Sequence, residues 1–250
     1  MYLNGEYLGS ELVMEIEKSI TKYDEYADTG VAVKPASEKV STNFEFKKKK
    51  AYSFIKRLFD FLASLIMIVV LSPVFLIVMI VIALGDRKGK PIFTQLRCGK
   101  NGKTFKLYKF RTMRPDAEAC LAELQSQNEM DGPVFKIRND PRITKVGKFL
   151  RSTNIDELPQ LVNILKGDMS FVGPRPPLPK EVEQYDDEDK LRLLVVPGLT
   201  CYWQVQKNRN DTSFKDWMQL DRKYITERSI FVDIKLMFKT FFMIFKRDGC

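Results

Sequence analysis

Asp156 and Glu157 are adjacent carboxylates at the start of an apolar helical pattern, in a chain of 250 residues that contains no histidine. Proton transfer or nucleophilic attack near neutral pH then falls to carboxylate, cysteine, lysine, tyrosine or metal-bound water. Residues 151–177 read RSTNIDELPQLVNILKGDMSFVGPRPP. Leu158, Leu161, Val162 and Leu165 recur at helical spacing and Gly167 reads as a stop. Either Thr153-x-x-Asp156 or Asn154-x-x-Glu157 offers a capping signature, which puts both carboxylates in a helix's first turn. Pro159 agrees with that placement, because proline is tolerated where the backbone N–H has no helical partner. Arg175 follows between prolines, on a loop too stiff to lose much entropy when its guanidinium fork meets phosphate oxygens. By itself an acidic pair of this kind is an ordinary cap, worth about 0.3–1 kcal/mol against the helix dipole. The missing histidines and the flanking arginines turn the reading toward phosphate chemistry.

These residues must be held by the rest of the chain, whose length suits one catalytic domain with attachments. Lys and Arg number 41 against 32 Asp and Glu, a net charge of +9 that suggests an anionic partner. The four cysteines, at 98, 120, 201 and 250, are scattered, without zinc-site or disulfide-scaffold spacing. They imply a reducing compartment. Residues 1–50 read as a flexible tail holding an acidic helical piece over 11–26, with no signal peptide.

Residues 61–84, FLASLIMIVVLSPVFLIVMIVIAL, carry no charge for 24 positions, where about 20 cross the hydrocarbon core. Ser72-Pro73 falls at the middle. Proline removes a helical hydrogen bond there, so a kink or break is expected, with the serine hydroxyl on a freed carbonyl. Cations flank both sides, Lys47 to Lys50 with Lys56 and Arg57 before, and Arg87, Lys88 and Lys90 after. Positive charge marks the cytoplasmic side, so the pattern predicts a re-entrant segment whose ends return to one face.

Downstream, PIFTQLRCGKNGKTFKLYKFRTM predicts a β-hairpin about Asn101-Gly102. Arg97, Lys100, Lys103, Lys106, Lys109 and Arg111 line it; most read as solvated strand face, and Lys109 and Arg111 as phosphate ligands beside the acidic pair. Residues 116–128 read as a helix, 134–149 as short strands or turns, and the acidic run 181–189 as exposed. Tyr202 or Trp203 reads as a core aromatic before a base-stacking one. Residues 230–245 alternate apolar side chains with Asp233, Lys235 and Lys239, an interfacial amphipathic helix too charged to span.

The motifs in order are KRLFDF at 56–61, the mid-segment Ser72-Pro73, KFRTM at 109–113, DPRITKVGKFLR at 140–151, IDELPQLVNILKGDMSFVGPRP at 155–176, PGLT at 197–200 and WQV at 203–205. Together they make the chain resemble the bacterial sugar transferase family, the monotopic phosphoglycosyl transferases that begin polyprenyl-linked glycans, in a minimal form. The resemblance implies an α+β fold. It divides the chain into a tail (1–50), a re-entrant membrane helix broken at Ser72-Pro73 (51–86), a cytosolic catalytic domain with a β-hairpin (87–228) and a C-terminal interfacial helix (229–250).

It also implies transfer of a hexose 1-phosphate from a UDP-sugar to polyprenyl (undecaprenyl) phosphate, the first membrane step of capsule or exopolysaccharide assembly. Asp156 would be the nucleophile of a covalent intermediate and Glu157 the Mg²⁺ ligand. Lys109, Arg151 and Arg175 fall on the family's phosphate-binding positions. Where the family carries a glycine after PGLT and a serine-glycine-arginine-asparagine run after WQV, this chain has Cys201 and the longer run 206–210; the region favours galactose over glucose.

The expected location is the cytoplasmic face of the bacterial plasma membrane, with both termini cytoplasmic. Anionic inner-leaflet lipid is an expected partner and a homodimer is an admissible assembly. No nucleic acid is expected, since no nucleic-acid-binding signature accompanies the basic residues. The alternative is a non-catalytic, membrane-tethered scaffold of a polysaccharide-assembly complex. The acidic pair framed by Arg151 and Arg175 argues against it.

Overall fold

The computed structural model describes residues 2–3, 6–7, 47–86, 88–137, 139–207 and 211–245. The expected acidic helix over 11–26 lies outside them. The chain divides into two compact units, 1–32 and 33–250. In the first, Tyr2–Leu3 pairs antiparallel with Glu6–Tyr7. All that follows concerns the second, a mixture of helices and short sheets.

Helix α1 (Lys50–Gly85) runs 36 residues with Pro73 inside it. Helical geometry continues through Ser72-Pro73, and the Ser72 hydroxyl donates to the Val69 carbonyl at 2.8 Å, the serine contact expected beside a proline. One stripe of α1 is polar and faces the protein. Tyr52, Lys56, Asp60 and Ser64 recur every fourth position, so they share one face. Lys56 and the Tyr52 hydroxyl reach Asp233 Oδ2 at 2.7 and 2.8 Å, and Asp60 accepts the Phe171 N–H. Much of the rest is apolar and bare: Phe54 is 72% exposed, Val69 65% and Leu84 68%. A folded chain that turns its polar stripe inward and its hydrocarbon outward is built for a hydrocarbon environment. Mean hydropathy reaches 3.3 in this helix, which is long and apolar enough to cross a membrane.

Both ends of α1 hold the same domain. At the start, Lys49 donates to the carbonyls of Thr226 and Arg228. At the end, Arg111 donates to the Asp86 carboxylate and carbonyl at 3.0 and 2.7 Å. Between them, Val78 and Ile82 pack with Phe110 and Leu150.

Strands β1 (Ile92–Cys98) and β2 (Thr104–Phe110) form the hairpin, in register from Ile92 opposite Phe110 to Cys98 opposite Thr104. Its tip places Asn101 and Gly102 at φ of 58° and 74°, the left-handed geometry that Asn-Gly favours. Helix α2 (Lys145–Ser152) begins at Thr144, whose side chain accepts the Gly147 N–H at 2.9 Å. A Cβ on Gly147 would run into the Thr112 carbonyl, so only glycine lets α2 lie against the strand end.

Helix α3 (Gln160–Lys166) buries Leu161, Asn163 and Ile164. Burying a Leu or Ile contributes about 1.5–3 kcal/mol each. Asn163 knits α3 to β2 by accepting the Tyr108 N–H and donating to the Lys106 carbonyl. Gly167, at φ 94°, ends the helix, and Arg57 caps it by donating to the carbonyls of Ile164 and Leu165 at 2.6 and 2.7 Å. Strand β3 (Ser170–Val172) pairs in parallel with β4 (Gly198–Thr200). Helix α4 (Pro179–Val182) follows β3. Helices α5 (Phe214–Glu227) and α6 (Ile230–Phe245) close the chain. In α6, Asp233 and Leu236 are buried while Phe231, Phe238, Phe241 and Phe242 are 56–84% exposed, so Asp233, read as part of a polar outer face, turns inward instead.

Two local readings are corrected. Residues 116–128 form turns and two short 3₁₀ segments, Ala119–Leu121 and Gln125–Gln127, rather than one helix. Little of that stretch is buried beyond Ala117, and helices take most of their stability from a packed face. Residues 139–143 do hold the expected turns, with a bridge from Ile143 to Met113, and what the sequence reading missed there is the start of α2 at Lys145. The acidic run is not wholly exposed. Glu181 is 3% exposed because its carboxylate accepts the Leu178 N–H at the start of α4.

Candidate active site

The acidic pair sits on a 3₁₀ turn, Ile155–Glu157, that leads through Pro159 into α3. The expected side-chain cap is not made. Asn154 instead adopts φ 55°, and its carbonyl accepts the Glu157 N–H. Asparagine tolerates this left-handed geometry better than most residues, and it turns the chain sharply out of α2. Ile155 and Leu158 then pack on the cluster of Val78, Ile82, Phe110 and Leu150, so the hydrophobic core grips the turn on both sides of the pair.

Asp156 is 6% exposed. Burial, the largest influence, pushes its carboxyl up to about 6; Lys109 and Arg151 pull it back, and Glu157 adds repulsion. Lys109 Nζ lies 2.7 Å from Glu157 Oε1, with both side chains about one third exposed. Arg151 donates from Nε to the Thr112 hydroxyl at 2.9 Å, which orients its guanidinium. Asp156, Glu157, Lys109 and Arg151 are therefore brought together from three elements. Arg111, expected beside them, is committed to Asp86 at the end of α1.

Arg175 lies on the loop between β3 and α4, its guanidinium 5.5 Å from the centroid of Trp217. Arg192 donates to the Arg175 carbonyl at 2.9 Å and to the Tyr185 hydroxyl at 2.8 Å, and pairs with Asp221 at 2.8 Å. Sequence reasoning missed a further cation. Arg97, read as solvated strand face, is 8% exposed and donates to the Pro176 carbonyl at 3.0 Å, holding the proline loop. Burial first, then the like charge of Arg175, lower its guanidinium to about 9, while Glu157 raises it. Arg97 thus feels both the loop and the acidic pair. In the folded register Arg97 is opposite Phe105 and Phe93 opposite Lys109, which puts Arg97 and Lys109 on one face of the hairpin.

Trp203 stacks on Trp217 at 4.2 Å, the expected core role, and Tyr202 donates to Glu227. Residues 208–210 of the divergent run lie outside the described residues.

A buried carboxylate next to an acid–lysine pair and rimmed by arginines is suited to a phosphoryl group carrying several negative oxygens. The chain is 49% identical over 161 residues to a galactosyl transferase, CpsE, of Streptococcus agalactiae, covering 64% of this chain and 36% of that protein. It is 40% identical over 206 residues to the undecaprenyl-phosphate galactose phosphotransferase of Salmonella typhimurium, covering 80% and 42%. It is 41% identical over 189 residues to the exopolysaccharide production protein ExoY of Rhizobium meliloti, covering 74% and 83%. The chain thus spans under half the length of the first two relatives. The profile described as bacterial sugar transferase matches residues 51–247, which takes in α1, the hairpin, the acidic turn and α6, and the chain belongs to that family.

Proposed function

We infer that the protein transfers a hexose 1-phosphate from a UDP-sugar to polyprenyl phosphate, releasing UMP, as a first membrane step of capsule or exopolysaccharide assembly. The observation that carries this is Asp156, a buried carboxylate within the electrostatic reach of Lys109 and Arg151. An Asp156 oxygen attacks the β-phosphorus, the bond from that phosphorus to the UMP oxygen breaks, and UMP leaves with its electron pair. An oxygen of polyprenyl phosphate then attacks the same phosphorus and the aspartyl–phosphorus bond breaks, restoring the carboxylate. Lys109, Arg151 and Arg175 balance charge on the non-bridging oxygens. Galactose is the favoured sugar. Incubation with radiolabelled UDP-galactose alone should release about one UMP per protein and leave labelled phosphosugar on the chain. If UMP appeared only once polyprenyl phosphate was added, the covalent route would be wrong.

Among the described residues no three metal-binding side chains gather. Two adjacent carboxylates fit Mg²⁺, which takes one or two protein carboxylates and completes its shell with phosphate and water. Glu157 would hold it, and when bound it would neutralise diphosphate charge. Glu157→Gln should shift the magnesium dependence of the rate to higher concentration by tenfold or more, and an unchanged titration would remove Glu157 as ligand.

Membrane insertion of α1 from one side, with both flanks cytoplasmic, is the matching topology. It is supported by the grip of a single domain on both Lys49 and Asp86, since a helix crossing the bilayer would carry one of these ends away. Pro73 gives α1 a place to bend within the hydrocarbon. A cysteine at position 41, in intact cells, should resist a membrane-impermeant maleimide. Clear labelling there would place the region before α1 outside.

A further inference from the structure

A cleft of about 810 Å³ opens between the start of α1, the hairpin tip and the segment joining α5 to α6, and none of the residues around Asp156 lines it. Its charge is strongly one-sided. Lys49 and Arg57 line it and give hydrogens to backbone carbonyls, of Thr226 and Arg228 and of Ile164 and Leu165 respectively. Carbonyls satisfy the hydrogen bonds and cancel no charge. Lys50 at the helix start and Lys100 and Lys103 at the hairpin tip add three exposed ammonium groups to the rim. Among the described residues the lining contributes one carboxylate, Asp60, and Lys56 in the wall is paired with Asp233. The floor is apolar or aromatic, with Met169, Val195 and Tyr224.

The position of the cleft narrows its ligand. The first turns of α1 that wall it expose Phe54, Ile55 and Leu58 on their far side by 50–72%, and α6, just past Arg228, exposes Phe231 by 84%. The cleft therefore opens at the level where both helices meet hydrocarbon. Basic groups there face the anionic headgroups of the same leaflet. We propose that this cleft is a phospholipid site, taking the phosphodiester of an anionic headgroup between the hairpin-tip lysines and the start of α1, separate from the transfer site. The proposal rests on insertion of α1 from the domain's side of the membrane.

The full chain in detergent is titrated, by native mass spectrometry, with dihexanoyl phosphatidylglycerol, dihexanoyl phosphatidylcholine and inorganic diphosphate. Phosphatidylglycerol should bind most tightly. Lys100→Gln with Lys103→Gln should weaken it by roughly fivefold per lysine removed, the usual contribution of one cation at an anionic surface. Arg175→Ala should leave it unchanged, and the double lysine variant should still release UMP from UDP-galactose, which separates failure here from failure of the catalytic reading. Equal binding of the two phospholipids, diphosphate binding as tightly as phosphatidylglycerol, or loss of binding in Arg175→Ala instead of the lysine variant would each overturn the proposal.

Discussion

Asp156→Asn is expected to abolish transfer and at the same time to make the protein more stable at pH 7.5. Loss of transfer follows from chemistry, because an amide is no nucleophile toward phosphorus and the fold offers no histidine to replace it. The stability gain follows from linkage. Burial raises the Asp156 carboxyl from its ordinary 3.8 to about 6. Between those values the folded chain holds a proton that the unfolded chain has released. Stability therefore falls as pH rises from about 4 to about 6, and the loss persists above that range. Asparagine is neutral throughout and nearly isosteric, so it removes that loss. Thermal unfolding in detergent should show the variant melting above wild type at pH 7.5, with the gap closing toward pH 4.5. Residual turnover would dismiss Asp156 as the nucleophile, and a lower melting point at pH 7.5 would show that its charge is stabilised in place.

How far the sequence discloses this arrangement depends on the range of the interactions involved. The Asn101-Gly102 tip is local backbone chemistry and is legible, since both residues take the left-handed conformation that their types allow. The approach to α3 is legible in outline from its apolar period and Gly167. Its cap is not, because Asn154 acts through its backbone rather than its side chain. At 116–128 the letters favour a helix and the structure declines one; Leu121 stays 38% exposed. Glu181 was recoverable, since a proline two residues before it marks a helix start whose third position suits glutamate. Arg97, Arg192 and Asp221 were not. Their partners lie 79, 17 and 29 residues away in the chain, and only the folded register brings them together.

The same long-range pair leads to the second large effect. Arg192 and Asp221 meet at 2.8 Å with side chains only 2% and 1% exposed. Asp221→Ala strands a buried guanidinium, which costs about 3–5 kcal/mol in comparable cases. The melting temperature should fall accordingly. Rate should fall as well, for a separate reason: Arg192 holds the Arg175 carbonyl, and both guanidiniums rest on Trp217, at 5.2 and 5.5 Å. Arg175→Ala removes only the outer member of this stack and should lose about 10²–10³ in kcat, as loss of a fixed donor to developing charge does, while the melting temperature barely moves. Arg192→Met combined with Asp221→Leu removes both buried charges together and should recover most of the stability, since apolar replacements of a buried pair are often neutral. It should not recover the rate, because nothing then grips the Arg175 carbonyl. An Asp221→Ala protein that melts like wild type would deny the pair its structural role, and a double variant with full kcat would show that the proline loop holds Arg175 without it.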